Sequence, residues 1–259
     1  MSGNLPRNNI SNEGCALSDT ILPTCNRWEH LWLRRPQIDV SLVRGELPML
    51  KSLNLELGRR SDKYSLDAFE LAPQLRTVRL ACRLGRLSSI KLLWGQLTEL
   101  SSQGLEPDMC LDILRHCPNL IRCSFNTVCG IGPGHTPIYP GLETVLHSRL
   151  RHLQISTWWV ISTFVDWLAL PALRTPSLNN NGNQPITTQF HDFLSRSCMI
   201  TKLVWNVHSS VDEFVSCLEL IHEIIDLENL THFSARIGTL MRRLTPHTLD
   251  DTSTLCPKL

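Results

Sequence analysis

Ten cysteines and ten histidines are the side chains in this 259-residue sequence with the most chemistry available to them. Four of the cysteines, Cys110, Cys117, Cys123 and Cys129, fall within one short stretch. Zinc sites pair their ligands across two to four residues, whereas these thiols are separated by six, five and five residues, so no metal site is expected. His222-Glu223 opens like the helical zinc-protease motif, but Asp226 stands where the second histidine belongs. Gly130, Gly132 and Gly134 look like a nucleotide loop, yet prolines interrupt the stretch and no helix N-terminus follows to hold a phosphate. A Cys or Ser nucleophile with a His base could be chosen from these residues, but no spacing singles out a pair. A Cys/His hydrolase is therefore the weakest of three functional alternatives, and no catalytic residue, metal or cofactor is expected.

The chain as a whole excludes other classes. A net charge of +1 with 19% charged residues provides no field to gather nucleic acid or an anionic membrane surface. Met1 to Asn12 lacks the apolar run of a secretory signal. The most apolar segment, Trp158 to Leu170, spans 13 residues and contains Asp166. A bilayer needs about 20 apolar residues, so the expectation is a soluble cytoplasmic or nuclear protein with reduced thiols acting as small apolar fillers.

What positions these residues is a repeated phrase, of which Cys117-Pro-Asn-Leu120-Ile-Arg-Cys123-Ser-Phe125 is the clearest copy. Copies begin at Trp28, Leu50, Leu75, Leu97, Leu120, Leu150, Leu173, Ile200 and Leu230, at intervals of 22 to 30 residues. Positions one, four and six hold 25 apolar residues out of 27, with Ser102 and Pro176 as the exceptions. Positions three, five and seven hold 24 polar or charged residues out of 27, broken only by Trp32, Ala81 and Val204. Alternation of this kind marks a half-buried strand.

The period is that of a leucine-rich-repeat solenoid. The expected fold is α/β, a curved parallel sheet of about nine repeats with helices and loops on its convex side, since each parallel strand needs a crossover to reach the next. Residues 1–20 form a polar arm and 21–259 the repeat domain. Helices are expected over Ser65 to Leu71, Glu106 to His116, Trp158 to Leu168, Thr188 to Ser197, Ser210 to Ile225 and Thr248 to Leu255, with Pro107 suited to a first helical position. Cys256-Pro-Lys-Leu259 mirrors Cys117-Pro-Asn-Leu120, so the array is expected to be truncated at its C-terminal as well as its N-terminal end.

The polar face of the sheet is the candidate partner-binding surface, with Trp32, Asn54, Arg79, Glu99, Arg122, Gln154, Lys202 and Arg236 pointing from it. Trp32 is the foremost contact, because an outward Trp is a common interface anchor. His30, His152 and His232 share position three and could form part of a strip. Nine strands about 4.8 Å apart offer roughly 40 Å of surface.

Several runs resemble a known family. They are Arg27-Trp28, Phe69-Glu-Leu-Ala-Pro-Gln-Leu-Arg76, Leu93-Trp-Gly-Gln-Leu-Thr98, Cys110-Leu-Asp-Ile-Leu-Arg-His-Cys-Pro-Asn-Leu120, Trp167-Leu-Ala-Leu-Pro-Ala-Leu173 and Phe193-Leu-Ser-Arg-Ser-Cys198. Together they are similar to the F-box and leucine-rich-repeat proteins of mushroom-forming fungi, over roughly Ile21 to Leu259. The resemblance implies a substrate-recognition region of a ubiquitin ligase receptor, with a Skp1-type adaptor bound only if an F-box exists in the full-length protein. An F-box is not evident here, since Leu5-Pro6 is followed by Arg-Asn-Asn and not by an apolar helix. The leading expectation is a non-enzymatic protein-interaction domain with a protein substrate; the alternative is a decayed paralogue or gene fragment without function.

Overall fold

The structure is a computed structural model that describes residues 22–34, 46–56, 67–81, 90–128, 143–157, 161–180, 188–197, 199–207 and 232–237. The N-terminal arm, Cys129, the glycine loop, His222-Glu223 and the helices expected over Ser210 to Ile225 and Thr248 to Leu255 lie outside the described residues.

Each of the nine phrases yields a strand. These are β1 (His30–Arg34), β2 (Ser52–Glu56), β3 (Thr77–Ala81), β4 (Glu99–Gln103), β5 (Arg122–Val128), β7 (His152–Thr157), β9 (Thr175–Asn180), β10 (Lys202–Val207) and β11 (His232–Ile237). They join in chain order as one sheet, and every pairing is parallel. A second, two-stranded parallel sheet, β6 (Val145–Leu146) with β8 (Leu168–Ala169), lies in the connections. Nothing in the alternation announced it, since two residues are too short to show a period.

The local cause of the strands is a turn. The amide of Leu50 donates to the Leu47 carbonyl, Leu75 to Ala72, Leu120 to Cys117 and Leu173 to Leu170, at 3.0–3.1 Å. Pro48, Pro73, Pro118 and Pro171 occupy the second turn position, where a fixed φ near −65° is already correct. The next carbonyl serves as a rung between turns. The Lys51 carbonyl, for example, accepts from both Arg76 and Thr77, and the Thr98 carbonyl from both Ile121 and Arg122, at 2.8–3.1 Å. The sixth phrase solves the same problem differently. His147, buried, accepts the amides of Leu150 at 3.1 Å and Arg149 at 3.4 Å on Nδ1. Its Nε2, 2.9 Å from the Cys117 carbonyl, donates to it, which fixes the Nε2–H tautomer.

Between strands the chain packs short elements against the apolar face. The expected helix over Glu106 to His116 is α1 (Pro107–His116), with Pro107 in its first turn and Met109, Cys110, Ile113 and Leu114 buried, as its spacing requires. The helix expected over Trp158 to Leu168 is shorter, α2 (Ile161–Asp166), because Leu168 is already paired in β8. That over Thr188 to Ser197 is α3 (Thr188–Ser195), and it packs on α2. The one expected over Ser65 to Leu71 is a single 3-10 turn, Asp67–Phe69, whose Phe69 is buried. Gly104, at φ 83°, takes the left-handed conformation that lets β4 turn toward α1.

The core is the row of inward side chains these elements cover. Leu53, Val78, Leu100, Cys123 and Leu153 are laterally registered across five neighbouring strands and all buried. Pro176 continues that row. It pairs with Leu153, and its missing N–H shortens the ladder on the other side, where β9 pairs with β10 only from Ser177 onward. Leu31 and Leu33 of β1 are only partly buried, as befits a strand with a single described neighbour. Ser102 stands in the second inner row between Leu80 and Phe125. Phe125 meets Phe164 of α2 edge-on at 6.0 Å, so the small residue makes room for a large one. The Ser102 hydroxyl is buried with no hydrogen-bond partner among the described residues.

Two stability outcomes follow. Ser102→Ala removes an unsatisfied hydroxyl and should be neutral or stabilising by up to about 1 kcal/mol, whereas Ser102→Leu crowds Phe125 and should cost about 1–3 kcal/mol, both read by urea unfolding. His147→Ala strands the Leu150 amide and leaves the Cys117 carbonyl with the Leu120 amide as its one remaining donor. It should cost about 2–4 kcal/mol in the same measurement, against less than about 1 kcal/mol for the exposed Arg149→Ala.

Candidate interaction face and rim

The outward side chains fall into three rows, one for each polar position of the phrase. Position five brings Trp32, Asn54, Arg79, Ser101, Ser124, Gln154, Ser177 and Val204 into one line, because the pairings align these residues strand by strand. Position three contains His30, Ser52, Thr77, Glu99, Arg122, His152 and Thr175. Lys202 pairs with His232 in the same row.

A hollow of about 610 Å³ runs across this face from β2 to β9, and among its walls are Asn54, Arg79, Glu99, Arg122, His152 and Gln154. A depression shared by six adjacent strands means the sheet is concave there. Of the expected contact residues, the structure thus brings Asn54, Arg79, Glu99, Arg122 and Gln154 together in one hollow. Trp32 lies outside it, on β1, with 70% of its surface exposed. Lys202 is half-buried on β10, and Arg236 belongs to β11, its side chain outside the described residues. The histidines do not form a strip. They share a row, but His30, His152 and His232 stand on the first, sixth and ninth strands of the sheet.

The electrostatics of the hollow are those of a solvated polar surface. Arg122 Nη1 and Glu99 Oε1 form an ion pair across β4 and β5 at 2.5 Å, both side chains well exposed. Arg34 and Glu56 pair in the same way at 3.0 Å between β1 and β2. Exposed pairs of this kind contribute under about 1 kcal/mol each. Asn179 Nδ2 donates to Ser156 Oγ at 2.9 Å along the far side of the face. His152 is pushed below the ordinary imidazole range, first by partial burial and then by Arg122, Arg151 and Arg174 around it. The face therefore presents hydroxyls, amides, the Arg79 guanidinium, the Arg122–Glu99 pair and a neutral imidazole at pH 7, which suits hydrogen-bonded recognition.

Of the described thiols, Cys110, Cys117 and Cys123 are on the other side of the sheet. Burial pushes Cys117 up to about 12 and raises Cys110 and Cys123 as well, so all three stay protonated. Cys123 and His152 lie on neighbouring strands, yet Cys123 pairs with Leu153 and faces the core while His152 faces out. They cannot act together. Among the described residues no three His, Cys, Asp or Glu side chains cluster as metal ligands, and no helix is long and apolar enough to cross a membrane.

A second surface went unnoticed in the sequence. Where the chain enters the strands, Arg76, Gln96, Thr98, Asn119, Arg149 and Arg151 surround a groove of about 540 Å³. The signal was available: position two of the phrase holds Arg76, Arg151 and Arg174, but that position obeys no apolar or polar rule and so attracts no notice.

These features define a leucine-rich-repeat-like α/β solenoid. No family model matches the chain, and no curated protein matches it. Among solved structures, the chain is similar to the crystal structure of human 5T4, described as Wnt-activated inhibitory factor 1 or trophoblast glycoprotein. That likeness has 16% identity and a TM-score of 0.39, and covers 83% of this chain and 70% of the other. The parallel pairing of the nine strands, not that likeness, defines the architecture here.

The disposition of the thiols has a direct readout. A thiol-directed probe on the native protein should label the partly exposed Cys25 and leave Cys110, Cys117 and Cys123 unmodified until denaturant is added, as site-resolved mass spectrometry would show. Fast labelling of Cys117 in the folded chain would contradict the burial described.

Proposed function

We propose that this chain is a non-enzymatic protein-interaction domain whose hollow sheet face receives a protein partner. The observation that carries the reading is the hollow itself: six strands contribute side chains to one continuous surface, and among the described residues no ionised thiol stands on it. A surface of this width fits the outline of a folded protein better than that of a small molecule, which is held in a concave and mostly apolar pocket. Arg79, Arg122 and Gln154 would contribute directional hydrogen bonds at its centre, with Asn54 and Glu99 beside them. Trp32 would extend the contact at the N-terminal end of the sheet.

The finer reading is substrate recognition for an F-box-type ubiquitin ligase. It is supported by the family phrases of the sequence, such as Cys110 to Leu120 and Trp167 to Leu173. A Skp1-type adaptor enters this reading only through an F-box in the full-length protein.

Charge reversal tests the interaction face. A partner recovered by affinity purification and mapped by cross-linking should touch β3 to β7, and Arg79→Glu with Gln154→Glu should weaken its binding by at least about tenfold, a change of roughly 1.4 kcal/mol, while leaving the unfolding midpoint in place. Cross-links that fall only on the helical side would refute the proposal. Recovery of an adaptor and a cullin with the full-length protein tests the ligase reading separately.

A further inference from the structure

We propose that the rim where the chain enters strands β3 to β9 docks an extended acidic segment of a partner protein, on a surface separate from the hollow face. Arg76, Arg149, Arg151 and Arg174 all stand exposed on this rim. Three of them line the same groove, and no carboxylate is among its walls. Arg151 and Arg174 lead into neighbouring strands, since the Arg174 amide donates to the Arg151 carbonyl at 2.9 Å. Two guanidinium groups are thus carried about one strand spacing apart, some 4.8 Å at the backbone. Two nearby cations are matched, Lys51 by Glu29 and Arg122 by Glu99. At Arg151 and Arg174 no carboxylate lies within ion-pair distance among the described residues. The excess is felt locally, because both arginines help to hold His152 in its neutral form.

Two of the cations are already oriented. Arg76 Nη1 donates to the carbonyls of Pro73 and Leu75 at 3.1 and 3.0 Å. Arg149 donates to Asn119 Oδ1, and Asn119 Nδ2 in turn donates to the Gly95 carbonyl at 2.6 Å. Guanidinium groups fixed in this way lose little freedom on meeting an anion.

The spacing selects the form of the ligand. From Arg76 to Arg174 the rim crosses four strand intervals, roughly 19 Å, which an extended peptide of about six residues covers with alternate side chains about 6.6 Å apart. A single phosphate cannot reach both ends. The groove also lacks an aromatic ring on which a nucleic-acid base would stack, its walls being Arg, Gln, Thr, Asn, Ile, Ser and Ala. An Asp/Glu-rich strand satisfies both conditions.

Fluorescence anisotropy with the full chain and a fluorescein-labelled octapeptide alternating Glu and Ser tests this. Binding should weaken at least about tenfold in the Arg151→Glu, Arg174→Glu double variant, and similarly when salt rises from about 0.05 to 0.5 M. Arg79→Glu on the hollow face should leave the peptide affinity within about twofold, so failure here and failure of the proposed function are told apart. The His152 titration, followed by NMR, should move to higher pH when the peptide binds, because an anion beside Arg151 and Arg174 offsets their field. Equal binding of a Gln/Ser peptide, or undiminished binding by the double variant, would overturn the proposal. So would complete displacement by equimolar inorganic phosphate, or tighter binding of an oligothymidylate of the same charge.

Discussion

Seven backbone carbonyls, those of Glu29, Lys51, Arg76, Thr98, Ile121, Arg151 and Arg174, each accept two amide hydrogens from the following turn of the chain. Parallel strands cannot be joined by a tight hairpin, so every strand must be found again after an excursion of 17 residues or more. The paired rungs are where it is found. They fix the register at the first residue of each strand, and a slip of one residue would exchange the two faces of the sheet. Arg79, Glu99 and Arg122 would then enter the core while Val78, Leu100 and Cys123 met water. The burial of the inner rows, the polarity of the hollow and the alignment of the rim arginines all depend on that single choice.

With register settled at the rim, the connections are free to differ. The described part of the connection between β3 and β4 holds a 3-10 turn, Trp94–Gln96, a ten-residue helix fills the step from β4 to β5, and between β9 and β10 α3 leans on α2. One of the longest steps has extra fastening. The interval from Leu120 to Leu150 is 30 residues, and at its end stand both β6, tied to β8, and His147, which bridges back to the Cys117 carbonyl. A histidine there does with its ring what other turns do with a peptide carbonyl. Its two nitrogens allow it to satisfy the turn and the preceding repeat at once.

The sheet was legible in the sequence because its period is enforced by solvent: one side of every strand is wet and the other dry, and twenty-seven positions on each side report it. The amphipathic stripe of α1 was legible for the same reason. The 3-10 turn at Asp67–Phe69 read as a longer helix because Phe69 and Leu71 are apolar, though only Phe69 is buried and Leu71 is exposed. His147 could have been read from its place three residues before Leu150, where Leu47, Ala72, Cys117 and Leu170 stand before their own leucines. The contact residues were legible only as a face. Which of them share the hollow is decided by their strand's place in the sheet, so Trp32 and Arg236, on the outermost strands, are separated from the residues they were grouped with.

The rim and the hollow face meet at His152, and their chemistry differs across one residue. Position two points along the edge of the sheet, in water, where a guanidinium keeps its hydration and an unmatched charge costs little. Position three points over the sheet, where partial burial already disfavours the charged imidazole and the neighbouring arginines disfavour it further. The same cations that give the rim its charge therefore keep His152, on the adjoining face, neutral. A single chain carrying +1 overall can then offer two unlike surfaces, one reading charge along an edge and the other reading hydrogen bonds across a concave sheet. Neither needs a strong field over the whole molecule, which is why the net charge said so little about what this protein recognises.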